Sequence, residues 1–346
     1  MNRLFIIKEN LKVFVNNIKK ACDEFIAPKR EHLDDIIFGD TKYDGHELLD
    51  YEGNSVISPR AFLLPQTEEL FEIKSAKRCE LKPIEDTRKR IFYGVRPCDI
   101  KASVLMRKFF IDDGFIDRAY KQKLDNATFI ALGCGKRCTA ESFCHLMDTG
   151  PIAKEGFDLQ LIPTSQGYLV DVGSRKGNSL VNKNKKLFSK ASSQNQKEIK
   201  DMLKNFAEKV KTIDYRKLAR IMKDDKVKES VWNDIGLRCV VCSGCITLCP
   251  TCSCFSIADR LSDDKGVRFR YCDGCPYAGF TRMAGGSTPF PEHKDHIRRF
   301  FEHKLNVDVE GYGTSSCVGR GRCIQTCPGN ISIRKFIADA MEAAIQ

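Results

Sequence analysis

The stretch from Cys239 to Pro250, CVVCSGCITLCP, constrains this chain more than any other. Cys239, Cys242, Cys245 and Cys249 follow the spacing C-x2-C-x2-C-x3-C-P, the run that holds cubane iron–sulfur clusters in bacterial-type ferredoxins. Two-residue gaps let three thiolates face one inorganic core from a tight loop, and the longer gap turns the fourth towards a second core. Pro250 suits the first turn of a helix leaving the loop, where a missing N–H costs nothing. Zinc also binds paired cysteines, but four thiols in eleven residues ending in Cys-Pro fit it poorly.

A second run, CVGRGRCIQTCP, repeats this spacing through Cys317, Cys323 and Cys327, with Arg320 where a second cysteine would stand. A guanidinium has no lone pair to offer iron. Either another thiol is recruited, from Cys252, Cys254, Cys272 or Cys275, or one iron is missing; the number of spare thiols favours recruitment. In the dicluster pattern the fourth cysteine of each run serves the other cluster. That assigns Cys239, Cys242, Cys245 and Cys327 to a first [4Fe-4S] cluster, and Cys249, Cys317, Cys323 and a recruited thiol to a second. The clusters then replace part of an apolar core, and the insertion carrying Cys272 and Cys275 is expected to pack over them.

Arg90–Val95 and Ala127–Gly133 read as apolar strands of a parallel sheet. Cys98 and Cys134 lie just beyond them, where open α/β sheets place their sites, and Cys138 and Cys144 follow. These four are a candidate set for a third [4Fe-4S] cluster; the alternative is two buried thiols and two loop cysteines. Asp99 is expected to cap the helix that follows. Residues 156–173 alternate as a β-hairpin around Ser165-Gln166-Gly167. The opening residues read as an amphipathic helix with Leu4, Ile7, Leu11, Val15 and Ile18 on one face. Cys22 and Cys79 read as structural thiols. Lysines between Asn182 and Lys186 suggest a surface loop, and PEHKDHIRRFFEHK suggests an exposed or partner-facing helix. The expected fold class is α+β: an N-terminal α/β domain over 1–175, a helical connector over 176–230, and a ferredoxin-like dicluster domain with an insertion over 231–346.

Charged residues interrupt the first twenty positions too often for a signal peptide, and no apolar run has the length of a membrane span. The 17 cysteines are therefore expected in reducing cytoplasm, where metal or redox chemistry is favoured over disulfides. The net charge of +11 is spread along helices, and three clusters of about −2 each would cancel roughly half of it. That favours a solvated basic surface, or one that docks an acidic redox partner, over nucleic-acid binding. There is no G-x-G-x-x-G after a strand, no P-loop and no nucleophile elbow, so no catalytic residue is assigned.

RPCD at 96–99, the cysteines at 134–144, CPTCSCF at 249–255, D-x-C at 273–275, AGG at 284–286 and CVGRGRCIQTCP together resemble one family across nearly the whole chain. It contains the beta subunits of cytoplasmic sulfhydrogenases and the corresponding iron–sulfur subunits of anaerobic sulfite reductases. The resemblance implies an iron–sulfur electron-transfer subunit between two partners. One is a flavin-containing NAD(P)H or ferredoxin oxidoreductase subunit. The other is a catalytic subunit, such as a sirohaem sulfite reductase or a NiFe hydrogenase. The chain departs from the pattern at Arg320 and Phe143, where cysteines are common, at the extra Cys138, and at Cys272, where an aromatic is common. The rival expectation is an enzyme subunit whose incompletely ligated cluster reduces a sulfur substrate directly.

Overall fold

The computed structural model describes residues 3–31, 34–75, 79–207, 213–262 and 265–343. Among them the strands are β1 (Leu4–Ile7), β2 (Glu24–Arg30), β3 (Ile36–Asp40), β4 (Thr67–Ser75), β5 (Cys79–Pro83) and β6 (Arg90–Val95). They continue with β7 (Ala127–Leu132), β8 (Leu159–Pro163), β9 (Gly167–Val172), β10 (Ser189–Lys190), β11 (Phe255–Ser262) and β12 (Lys265–Cys272). The chain divides into two units. The first comprises Met1–Leu63, Asp86–Thr212 and Val318–Arg320; the second comprises Leu64–Glu85, Ile213–Cys317 and Gly321–Gln346.

The first unit holds an eight-stranded sheet in the order β10-β1-β9-β8-β7-β6-β2-β3. Its middle strands, β8, β7, β6 and β2, run parallel. Every residue of β6 is buried, as fits a strand covered on both faces. Leu11, Phe14, Ile18, Phe25, Tyr93, Ile130 and Leu161 share its main core with Cys22. The α/β region and the β8–β9 hairpin fall where the sequence puts them.

The opening residues differ from expectation. Leu4–Ile7 pair with β9 as a strand, and the helix is Lys8–Lys19, with Leu11, Phe14, Val15 and Ile18 inward. A run of four apolar residues satisfies either period; sheet pairing decides it, and Ile7 is left exposed. The helix after β6 begins at Pro97, so Asp99 lies inside its first turn and is not its cap. Proline fits that first position, and the Asp99 carboxylate accepts a bond from Ser58 Oγ at 3.2 Å.

In the second unit β11, β12, β4 and β5 form an antiparallel sheet. The insertion after the first cysteine run is thus a hairpin joined to a hairpin from residues 67–83. Cys79 opens β5, and its side chain lies outside the described part. Arg270 on β12 is buried and pairs with Glu68 on β4 at 2.6 Å, so the cross-strand charge is compensated. Nothing local in sequence announces this pairing.

Trp232, Phe301 and Phe336 centre the helical part of this unit, with ring centroids 5.0 Å (Trp232–Phe336) and 4.6 Å (Phe301–Phe336) apart. The helix His293–Glu302, expected to be exposed or partner-facing, buries His296, Ile297, Phe300 and Phe301. Its apolar residues share one face and its charges the other. A capping box between Glu292 and Asp295 starts it, and a π-helical turn, His303–Val307, continues it.

The stretch expected as a connector is divided between the two units after Thr212. Helices Arg175–Lys183 and Ser193–Ala207 belong to the first unit, Tyr215–Lys223 and Glu229–Arg238 to the second. The lysines near 183–186 end a helix and form a 3-10 turn, not a loop. Among the described residues no helix is long and apolar enough to cross a membrane.

Candidate metal centres

In the second unit, Cys239 follows directly on the helix Glu229–Arg238. Val241 and Ser243 then take left-handed φ of 53° and 62°, and left-handed residues in a turn line up backbone N–H groups around a concavity suited to anions. A short helix, Gly244–Thr247, carries Cys245, and another, Arg322–Gln325, carries Cys323. Gly244 permits their approach, since a Cβ there would lie 2.9 Å from Thr326 Cγ2. Cys239, Cys242, Cys245, Cys323 and Cys327 line one cavity whose other walls include Ile297, Phe300, Phe301 and Ile333. Ile331 N–H donates to Cys327 Sγ at 3.3 Å. Burial, then the neighbouring Cys239 and Cys249, push the Cys245 thiol up to about 12. Among the described residues no three His, Cys, Asp or Glu side chains are grouped as for a single ion. A cubane takes one thiolate on each of four irons, so its ligands surround a space, as these do.

Next to this set, the Cys252 thiol donates to Cys249. That bond, together with Lys304 and Thr251, holds Cys249 well below the usual thiol range despite its burial. Cys323 is pushed up by burial, then by Cys317 and Cys249. Cys249, Cys317 and Cys323 are thus neighbours, and Cys252, bonded to Cys249, joins them as a candidate second set. Cys254 instead donates to Cys275, whose own pKa falls to about 7. Cys272 points its Sγ at Pro65 O, 3.7 Å away.

In the first unit, β6 and β7 are adjacent and parallel, which brings Cys98 and Cys134 to the same sheet edge. Cys138 accepts a hydrogen bond from Cys134, and this, with Arg320 and Arg96 outweighing burial, lowers it to about 5. Burial, then Cys98 and Cys138, raise Cys144 to about 12. All four predicted residues are thus brought together. Arg96 bonds Gly133 O at 3.0 Å and lies 4.0 Å over the Tyr51 ring.

The sequence placed Arg320 in the second C-terminal set. The structure turns it into this N-terminal one, with Nη1 3.5 Å from Cys98 Sγ and 3.4 Å from Cys138 Sγ. Backbone stitching explains the move. Phe143 N–H donates to Gly319 O at 2.8 Å, and Thr149 Oγ1 donates to Val318 O at 2.7 Å. Gly319 has φ +66°, and a Cβ there would lie 2.7 Å from Cys144 N. Arg320 is only 3% exposed, and among the described residues its Nε and Nη2 find no acceptor. Unsatisfied buried donors are costly. An anionic cluster of four thiolates and sulfides would supply acceptors, so these residues fit such a group.

The profile of a 4Fe-4S dicluster domain matches residues 238–331. The C-terminal region is accordingly an iron–sulfur dicluster domain. Over 301 residues the chain is 27% identical to sulfhydrogenase 2 subunit beta of Pyrococcus furiosus, with 86% of each chain covered. Together these findings bear out the resemblance to an iron–sulfur beta-subunit family.

Proposed function

We propose that this chain is the iron–sulfur electron-transfer subunit of a cytoplasmic multisubunit oxidoreductase. It relays electrons between a flavin-containing NAD(P)H or ferredoxin oxidoreductase subunit and a catalytic reductase or hydrogenase subunit. The observation that carries this reading is the cavity in which cysteines from both runs of the dicluster domain meet. Cys239, Cys242, Cys245 and Cys327 would hold the first cluster; Cys249, Cys252, Cys317 and Cys323 the second; Cys98, Cys134, Cys138 and Cys144 a third. When bound, such a cluster takes up and releases single electrons at a potential set by its surroundings.

The chain's residues set those surroundings. Ile297, Phe300 and Phe301 give the first site apolar walls. The Ile331 N–H stabilises charge on the Cys327 sulfur. Cys242 is exposed, so this site has an edge at the surface where a partner can exchange electrons. In the first unit Arg96 and Arg320 supply positive charge instead. The test is iron and acid-labile sulfide per chain on anaerobically purified protein, with electron paramagnetic resonance after dithionite reduction. About twelve irons and three interacting signals are expected from three cubanes. About eight would make the N-terminal cysteines structural thiols, and a three-iron signal in the oxidised sample would show that Cys252 does not complete the second site. Fewer than about four irons would overturn the reading.

A further inference from the structure

We infer that Lys304 is the built-in counter-charge of the second C-terminal cysteine set, making the two clusters of the dicluster domain unequal, with the second the easier to reduce. The inference rests on the dicluster reading above and adds an order of potentials within it.

Lys304 is 4% exposed, and lysine is almost never buried so deeply without a partner. Its Nζ donates to Thr251 Oγ1 at 3.0 Å and lies 5.5 Å from the Phe300 ring centroid. Thr251 Oγ1 is in turn 3.2 Å from Cys249 Sγ. Cys249, Cys252, Cys317 and Asp308 are near enough to favour the charged form of Lys304 when they are ionised, and Asp308 is also bonded by Ser316 Oγ. With the three thiols neutral, the Asp308 carboxylate, already shared with Ser316 Oγ, would be the negative group left among these to face a buried ammonium, whose burial is expensive. Thiolates on an anionic cluster would compensate it.

The backbone holds Lys304 there. It lies in the π-helical turn His303–Val307, a geometry that re-aims side chains and recurs at functional sites. Lys304 O accepts bonds from Ser315 Oγ at 2.8 Å and Ser316 N at 3.3 Å. Ser315 Oγ also accepts from Cys317 N at 3.0 Å. The segment that fixes the lysine is thus the one that delivers a ligand. Among the described residues no charged side chain lines the cavity of the first set; Arg238 beside it is half-exposed, paired with Asp234 and bonded to Gly329 O and Asn330 O. Reduction adds negative charge, so a buried cation beside one cluster favours its reduced form over that of a neighbour whose nearby cation is solvated and paired.

The experiment is a redox titration followed by electron paramagnetic resonance, on the full chain and on Lys304→Gln, Lys304→Met and Lys304→Arg. Glutamine keeps a donor for Thr251 without the charge. In the neutral variants one C-terminal midpoint should fall by at least 59 mV, tenfold in a one-electron equilibrium, with the other unmoved. Lys304→Arg should stay near the parent. Loss of iron from both neutral variants while Lys304→Arg stays replete also supports a required cation. Unmoved midpoints in an iron-replete neutral variant overturn the inference, as does Lys304→Arg behaving like the neutral variants. Failure of the dicluster reading itself would already show in the iron content of the parent chain.

Discussion

The first C-terminal cysteine set and the N-terminal set offer four thiols each but are assembled by different means. In the first, Cys239, Cys242 and Cys245 share one short loop, and Cys327 returns from a second copy of the motif. Left-handed Val241 and Ser243 shape the loop, and apolar side chains wall much of the cavity. In the second, Cys98 and Cys134 sit at the ends of two parallel strands, and Cys138 and Cys144 come from the loop beyond. Here the surroundings are ionic, with Arg96 and Arg320 buried among the thiols. A compact motif carries its own geometry and needs only cover. A dispersed set depends on the sheet to bring it together, and its buried charges demand an anion in return.

The largest effect should come from removing the compact set. Cys242→Ser with Cys245→Ser should lose about four irons or more and leave the second unit open to limited proteolysis. This loop has little core of its own, and metal binding there is folding energy. Cys134→Ser with Cys138→Ser should also lose about four irons, yet the first unit should keep its cooperative thermal unfolding, because its sheet is held by the Phe14, Phe25 and Ile130 core. Equal destabilisation by the two pairs would break the contrast between motif-held and sheet-held sites.

The same contrast explains how far the sequence could be read. The spacing from Cys239 to Pro250 led to the dicluster domain, since its ligand geometry is local. Cys98 and Cys134 were legible through their positions after two apolar strands. Arg320 was misplaced because its motif neighbours predict a C-terminal environment, whereas bonds from Phe143 and Thr149 draw 318–320 to the N-terminal loop. The union of β12 with β4 was illegible, resting on a long-range pair such as Arg270–Glu68. Lys304 was missed because a lysine in a basic helical stretch looks solvated, although it follows Ile297 and Phe300 at helical spacing on the buried face.

A smaller effect should follow from Arg320→Gln, which removes the charge beside Cys98 and Cys138. The midpoint of a cluster held by the N-terminal set should fall by on the order of 60 mV or more, tenfold in a one-electron equilibrium, while the C-terminal signals stay put. A shift confined to a C-terminal signal would return Arg320 to the site its motif suggested.

Gly94→Ala probes the sheet that holds the dispersed set. Gly94 has φ +74°, and a Cβ would approach Pro28 Cδ to 3.1 Å. A left-handed non-glycine residue costs roughly 1–2 kcal/mol, so thermal unfolding of the first unit should move down. Iron at the dicluster domain should not change, and a parallel loss there would mean that the two sites are not independently held.

The smallest effect is expected from Tyr51→Phe. Burial raises the Tyr51 hydroxyl to about 12 although Arg96 and Arg320 oppose it, so it remains a neutral donor. It bonds Gly94 O at 3.0 Å, and its ring carries the Arg96 guanidinium. Phenylalanine keeps the ring and loses the bond, leaving a buried carbonyl short of one partner, at a cost of about 0.5–1.5 kcal/mol. Stability of the first unit should fall slightly, and the N-terminal midpoint should move far less than in Arg320→Gln. If Tyr51→Phe shifts that midpoint as much, the hydroxyl's hold on the strand end, and not the guanidinium charge, sets the potential of the sheet-built site.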